Sequence, residues 1–228
     1  MENLNGYQAM EKSIEILQQL LNNEIIPNKC QNERYLHHYY SQKIQEHFAI
    51  DFKNLMNSKF HPEWPTSKSS CAHFYSKYRK NSNKYIIDTE EGSSAFIDFA
   101  IGDYKKPDFA IEFTSKYGLS KEDLIFDFLK LLDSKNCSLK YVLSFNLVYR
   151  EKELPQGGYK GNIVTFFEEI YKEIFNKENE RNLEIDKDRQ FLFWIIEINQ
   201  NGKMRHWILK NNFERFENKD DIKSYNFL

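Results

Sequence analysis

The sequence predicts an α/β fold: a mixed central β-sheet flanked by helices. Three observations predict it. Residues 7–48 carry apolar side chains at helical spacing, the apolar period shortens to two from Tyr85 onward, and a capped helical segment separates two strongly apolar strands in mid-chain. A chain of 228 residues with 40% hydrophobic and 16% aromatic content can bury a core of ordinary size. We read residues 1–228 as one domain, with N-terminal helices at 7–48, a core at 85–150, and a C-terminal helix and hairpin at 163–210.

The first helix is predicted over residues 7–22, where Ile14, Ile16, Leu17, Leu20 and Leu21 recur at helical spacing and Pro27 closes the segment. The second runs from about Asn32, a competent cap, to Phe48, with Tyr35, Leu36, Tyr39, Tyr40, Ile44 and Phe48 on its apolar stripe. Residues 57–84 contain Pro62, Pro65 and many Ser and Asn residues, and read mostly as loop.

Strand character begins with YIID at 85–88 and strengthens in SAFIDFAIG, where Phe96, Asp98 and Ala100 alternate with Ile97, Phe99 and Ile101. The turn GDYKKP leads to a partner strand, DFAIEFTSK. Its two faces are Asp108, Ala110, Glu112, Thr114 and Lys116 against Phe109, Ile111, Phe113 and Ser115. Ser120 and Asp123 form a capping box that opens a helix to about Asp133, with Leu124, Phe128, Leu131 and Leu132 inward. LKYVLSFNLVYR follows as a buried strand, residues 163–176 as a helix, and FLFWIIEI, Asn201-Gly202 and KMRHWILK as a hairpin.

Charge and cysteine usage narrow the functional classes. With 32 Lys+Arg against 34 Asp+Glu, no whole-molecule field attracts a polyanion, so nucleic acid would have to meet a local basic surface. The stretch holding Lys77, Arg79, Lys80 and Lys84, with Tyr78 interleaved, is one candidate, and the surroundings of Lys203, Arg205 and Lys210 are another. Cys30, Cys71 and Cys137 are odd in number and widely spaced, which suits a reducing compartment better than a disulfide framework. No secretion signal and no membrane-length apolar run is apparent, and a cytoplasmic location is expected. His37, His38, His47 and Cys71-x-His73 lack the ligand spacing of a zinc site, and no glycine-rich phosphate loop is present. Arg34 stands too close to His37 and His38 for the HEPN ribonuclease pattern.

The informative residues are Asp98 and Glu112. Each interrupts an otherwise apolar strand, where an unpaired carboxylate costs several kcal/mol to bury. Two such acids on adjacent strands are stable as anions when a divalent cation lies between them, and their hard oxygens favour Mg²⁺ or Mn²⁺.

An acid in one strand, a second acid in its neighbour, a capped helix and then an apolar strand resembles the PD-(D/E)XK nuclease superfamily, over roughly residues 85–150. The resemblance implies a restriction-endonuclease-like core, with Asp98 as the first acid and Glu112 as the second. Pro107-Asp108 is not the motif, because Asp108 stands too near Glu112 for a hairpin to intervene. Many members add an acid from an N-terminal helix, and Glu33 is the best match. The superfamily's lysine falls at Thr114, which carries no positive charge. Lys116 lies two residues further along the same face, about 6–7 Å of strand rise away, a gap its stem could partly span.

The resemblance implies metal-dependent hydrolysis of phosphodiesters, with DNA ahead of RNA as substrate, Asp98 and Glu112 holding Mg²⁺, and Lys116 orienting the attacking water. It also implies a role in bacterial or phage defence, as a homodimer or with a partner of a defence complex. The alternative from Thr114 is a catalytically inactive nuclease-like module that binds nucleic acid or a partner protein.

Overall fold

The computed structural model describes residues 5–23, 33–48, 57–66, 96–117, 127, 130–134, 136, 138–150, 186, 188–199, 204–210 and 215–216. Among the described residues, two helices, α1 (Gly6–Asn23) and α2 (Glu33–Ile44), precede seven strands: β1 (Phe60–Pro65), β2 (Phe96–Asp103), β3 (Lys106–Tyr117), β4 (Tyr141–Arg150), β5 (Gln190–Asn199), β6 (Met204–Lys210) and β7 (Arg215–Phe216). They form one sheet in chain order. The pairs β3–β4 and β4–β5 are parallel and the other four are antiparallel, so the sheet is mixed and the class is α/β. Parallel neighbours need a long crossover, and the chain between β3 and β4 supplies one, in which Asp127 and residues 130–132 are helical.

The helices form where the spacing predicts. Ile14, Leu17, Leu20 and Leu21 of α1 and Leu36, Tyr40 and Ile44 of α2 are buried against one face of the sheet. That face is built from alternate strand residues, among them Phe99 and Ile101 of β2, Phe109, Ile111 and Phe113 of β3, Leu143, Phe145 and Leu147 of β4, and Trp194 and Ile196 of β5. Tyr40 is wholly buried. Its ring lies 5.2 Å from Phe99 and 5.1 Å from Phe113. Its hydroxyl shares a 2.7 Å hydrogen bond with Ser13 Oγ of α1, so the two helices are joined by a polar contact inside the apolar layer.

Residues 60–65 are a strand rather than the loop expected over 57–84. β1 pairs with β2 at the sheet's edge, the position where proline is tolerated because its missing N–H need not serve a second neighbour. The two prolines therefore broke the sequence pattern without breaking the strand. The β2–β3 hairpin is closed by Gly102, whose φ of +127° lies where side-chain-bearing residues are strained. A Cβ there would stand 2.8 Å from Asp108 N, and the register shifts at this glycine as at a bulge.

The strand at 85–88, the capping box at 120–123, the helix at 163–176 and the Asn201-Gly202 turn lie outside the described residues. Among the described residues, no helix is long and apolar enough to cross a membrane.

Candidate functional site

The β2–β3 register pairs Phe99 with Ile111 and Ala100 with Ala110, and continuing it by one residue sets Asp98 opposite Glu112. Strand alternation places Ala110, Glu112 and Thr114 on the face away from α1 and α2. In β4, Ser144 pairs with Glu112 and Asn146 with Thr114, so a buried polar stripe runs from the two acids into the parallel part of the sheet.

Asp98 is fixed from two sides. Phe113 N donates to its Oδ2 at 2.7 Å, and His37 Nε2 stands 3.3 Å from the same oxygen. His37 belongs to α2 and is wedged between rings, 5.3 Å from Phe99 and 5.5 Å from Phe113. Its burial pulls the imidazolium pKa down, but Asp98, and behind it Glu33 and Glu63, outweigh that effect and hold it above the ordinary value.

Glu112 is almost wholly buried and is met by a cation from the β3–β4 crossover. Lys130 Nζ lies 2.6 Å from Glu112 Oε1 and 3.2 Å from Asp127 Oδ1, and it donates to Phe96 O at 3.1 Å. Asp127 in turn accepts a 3.2 Å hydrogen bond on Oδ2 from Thr114 Oγ1. Two carboxylates, Glu112 and Asp127, thus meet one ammonium, and the charge of Asp98 adds to the field that acts on it. Burial raises Glu112 well above the usual carboxylate range, and repulsion from Asp98 and Asp127 adds to this against the attraction of Lys130. Desolvation alone would discharge Lys130, but Glu112 and Asp127 hold its pKa far above that of a free lysine, so the ammonium persists.

The sequence-predicted residues fare differently. Asp98, Glu112 and Thr114 meet in one neighbourhood through Lys130, Asp127 and the β2–β3 pairing. Lys116 lies on β3 opposite Val148, four residues beyond Glu112, with its side chain outside the described residues. Glu33 occupies the first turn of α2, and it is His37, one helical turn later, that reaches Asp98. Lys77, Arg79, Lys80 and Lys84 lie outside the described residues.

Asp127, Lys130 and His37 were not singled out from sequence for this site. The signal for Asp127 and Lys130 was present as an acid and a lysine one turn apart, interrupting the apolar stripe of a predicted helix.

Among the described residues, no three His, Cys, Asp or Glu side chains converge as a ready-made cation cage. Asp98 and Glu112 nonetheless bring hard carboxylate oxygens to facing positions of two adjacent strands. Such hard oxygens suit Mg²⁺, which commonly takes one or two protein carboxylates and completes its shell with water and substrate phosphate.

Comparison with family models, curated proteins and solved structures returns no match for this chain.

Proposed function

We propose that this protein is a Mg²⁺-dependent nuclease of the PD-(D/E)XK kind, acting on DNA before RNA, in which Lys130 supplies the positive charge that Thr114 cannot. The observation that carries the reading is the 2.6 Å approach of the Lys130 ammonium to the second acid, Glu112, beside the strand that bears the first acid, Asp98. Asp98 and Glu112 would hold the metal. When bound, it supplies Lewis-acid stabilisation of the phosphoryl charge and a water more readily deprotonated.

The chain's own residues divide the remaining work. Phe113 N–H and His37 fix the orientation of Asp98. Lys130, held protonated by its acidic neighbours, is an electrostatic group rather than a base. It places a fixed positive charge beside Glu112, where a phosphate would carry its developing negative charge. The low dielectric of this buried position strengthens that interaction.

Incubation of purified protein with plasmid, linear and single-stranded DNA and with RNA, in Mg²⁺, Mn²⁺ or EDTA, tests the reading. Metal-dependent cleavage that Asp98→Ala and Glu112→Ala each abolish is the expected result. The reading fails if no substrate is cut, or if both variants cut as the parent does. The second reading, a catalytically silent module, rests on one observation. Lys130 meets Glu112, Asp127 and Phe96 O in one buried cluster, as the cation of a purely structural ion pair would.

A further inference from the structure

We infer that Asp127, anchored by Thr114, is the positioning residue that aims Lys130 at Glu112, so that the threonine in the motif-lysine place is the foot of a bridge rather than an empty position. The inference rests on the nuclease reading. Lysine has a flexible four-carbon stem, and its rotamer entropy opposes its adoption of one geometry. Lys130 projects from a crossover helix, so strand alternation does not orient it as it would a lysine at position 114.

Asp127 answers both difficulties. It stands one helical turn before Lys130, the spacing at which helix side chains meet, and its Oδ1 lies 3.2 Å from the ammonium. Its other oxygen, Oδ2, accepts from Thr114 Oγ1 at 3.2 Å. Thr114 is itself buried and lies two residues from Glu112 on the same face of β3. The carboxylate therefore ties the helix that carries the cation to the strand that carries the acid. A hydroxyl at 114 suits that task better than an ammonium, which would compete with Lys130 for Asp127.

A structural role alone would require only that Asp127 neutralise charge. A positioning role makes separate demands on its geometry and on the hydroxyl at 114. Cleavage kinetics on a DNA substrate should therefore show Thr114→Ser close to the parent. Thr114→Val and Asp127→Asn should each lower kcat by roughly 10- to 100-fold, as small misplacements of a reacting group do. KM and the Mg²⁺ concentration for half-maximal rate should move little.

Moving the lysine to the strand, in the double variant Thr114→Lys with Lys130→Met, should recover activity that Lys130→Met alone loses. Equal kcat for Thr114→Val, Asp127→Asn and the parent, or no recovery in the double variant, overturns the inference. A readout independent of cleavage keeps it testable if the nuclease reading itself fails. Nitrogen-15 relaxation of the Lys130 ammonium should report an ordered group in the parent and a mobile one in Thr114→Val. An ammonium equally ordered in both is the opposite result.

Discussion

The Lys130 ammonium lies 2.6 Å from Glu112 Oε1, with side-chain exposures of 7% and 3%, and the two residues come from a crossover helix and the strand before it. Taking both charges out of water costs more than an exposed pair returns, so neither partner is tolerable alone. Lys130→Met is expected to destabilise the fold by about 3–5 kcal/mol, because it strands a buried carboxylate. Adding Glu112→Gln should recover much of that loss. Urea unfolding of the two single variants and the double variant measures the coupling, and additive effects would contradict it.

Metal binding should release protons. Burial and the neighbouring acids raise the Glu112 pKa, and a divalent cation reverses that balance by favouring the ionised form. Calorimetric titration with Mg²⁺ in buffers of different ionisation enthalpy should give an observed heat that depends on the buffer, and EDTA should return the protein to its metal-free stability. A heat that is the same in every buffer would argue against Glu112 as a ligand.

His37 gives the fold a pH dependence whose sign follows from its raised pKa. The folded value exceeds the unfolded one, so the stabilisation is fully present below about pH 6.5 and is lost as pH rises through the folded value. The stability difference between the parent and His37→Gln should therefore be largest below about pH 6.5 and shrink as the pH rises above it. Paired denaturation curves across that range measure it. A difference that grows with pH would mean that the ring is not charged against Asp98.

Arg189 is predicted to be the most sensitive position outside the site. Its buried guanidinium donates to the carbonyls of Leu139, Leu131, Asp133 and Asn136 and to Asp186 Oδ2, joining the end of the Lys130 helix to the start of β5. Arg189→Met would leave those acceptors unpaired at roughly 1–3 kcal/mol for each that stays dry. Arg189→Lys should rescue little, since an ammonium cannot reproduce the planar fork. Thermal melts should place both variants well below the parent, and a lysine variant that melts like the parent would contradict the assignment.

Local periodicity carried much of the architecture. Gly6–Asn23, Glu33–Ile44 and Tyr141–Arg150 fall close to the ranges their apolar spacing predicts, because burying one face of a helix or strand imposes its period on the chain. β1 escaped, since two prolines at a sheet edge look like a loop unless the neighbouring strand is known. The candidate site divided in the same way. Asp98 and Glu112 stood out because each is a carboxylate in an apolar strand, whereas a His on a helix and a Lys among leucines look unremarkable until something packs against them.

The sequence by itself therefore determined two helices, a hairpin and two acids on adjacent strands. Only the tertiary structure decided that Lys130 from the crossover meets Glu112, that Asp127 links it to Thr114, and that His37 of α2 reaches Asp98. The physical reason is range. Helical and strand periods are set by neighbours a few residues apart, while the meeting of side chains 18 positions apart (Glu112 and Lys130) or 61 apart (His37 and Asp98) depends on how a crossover and a helix settle on the sheet.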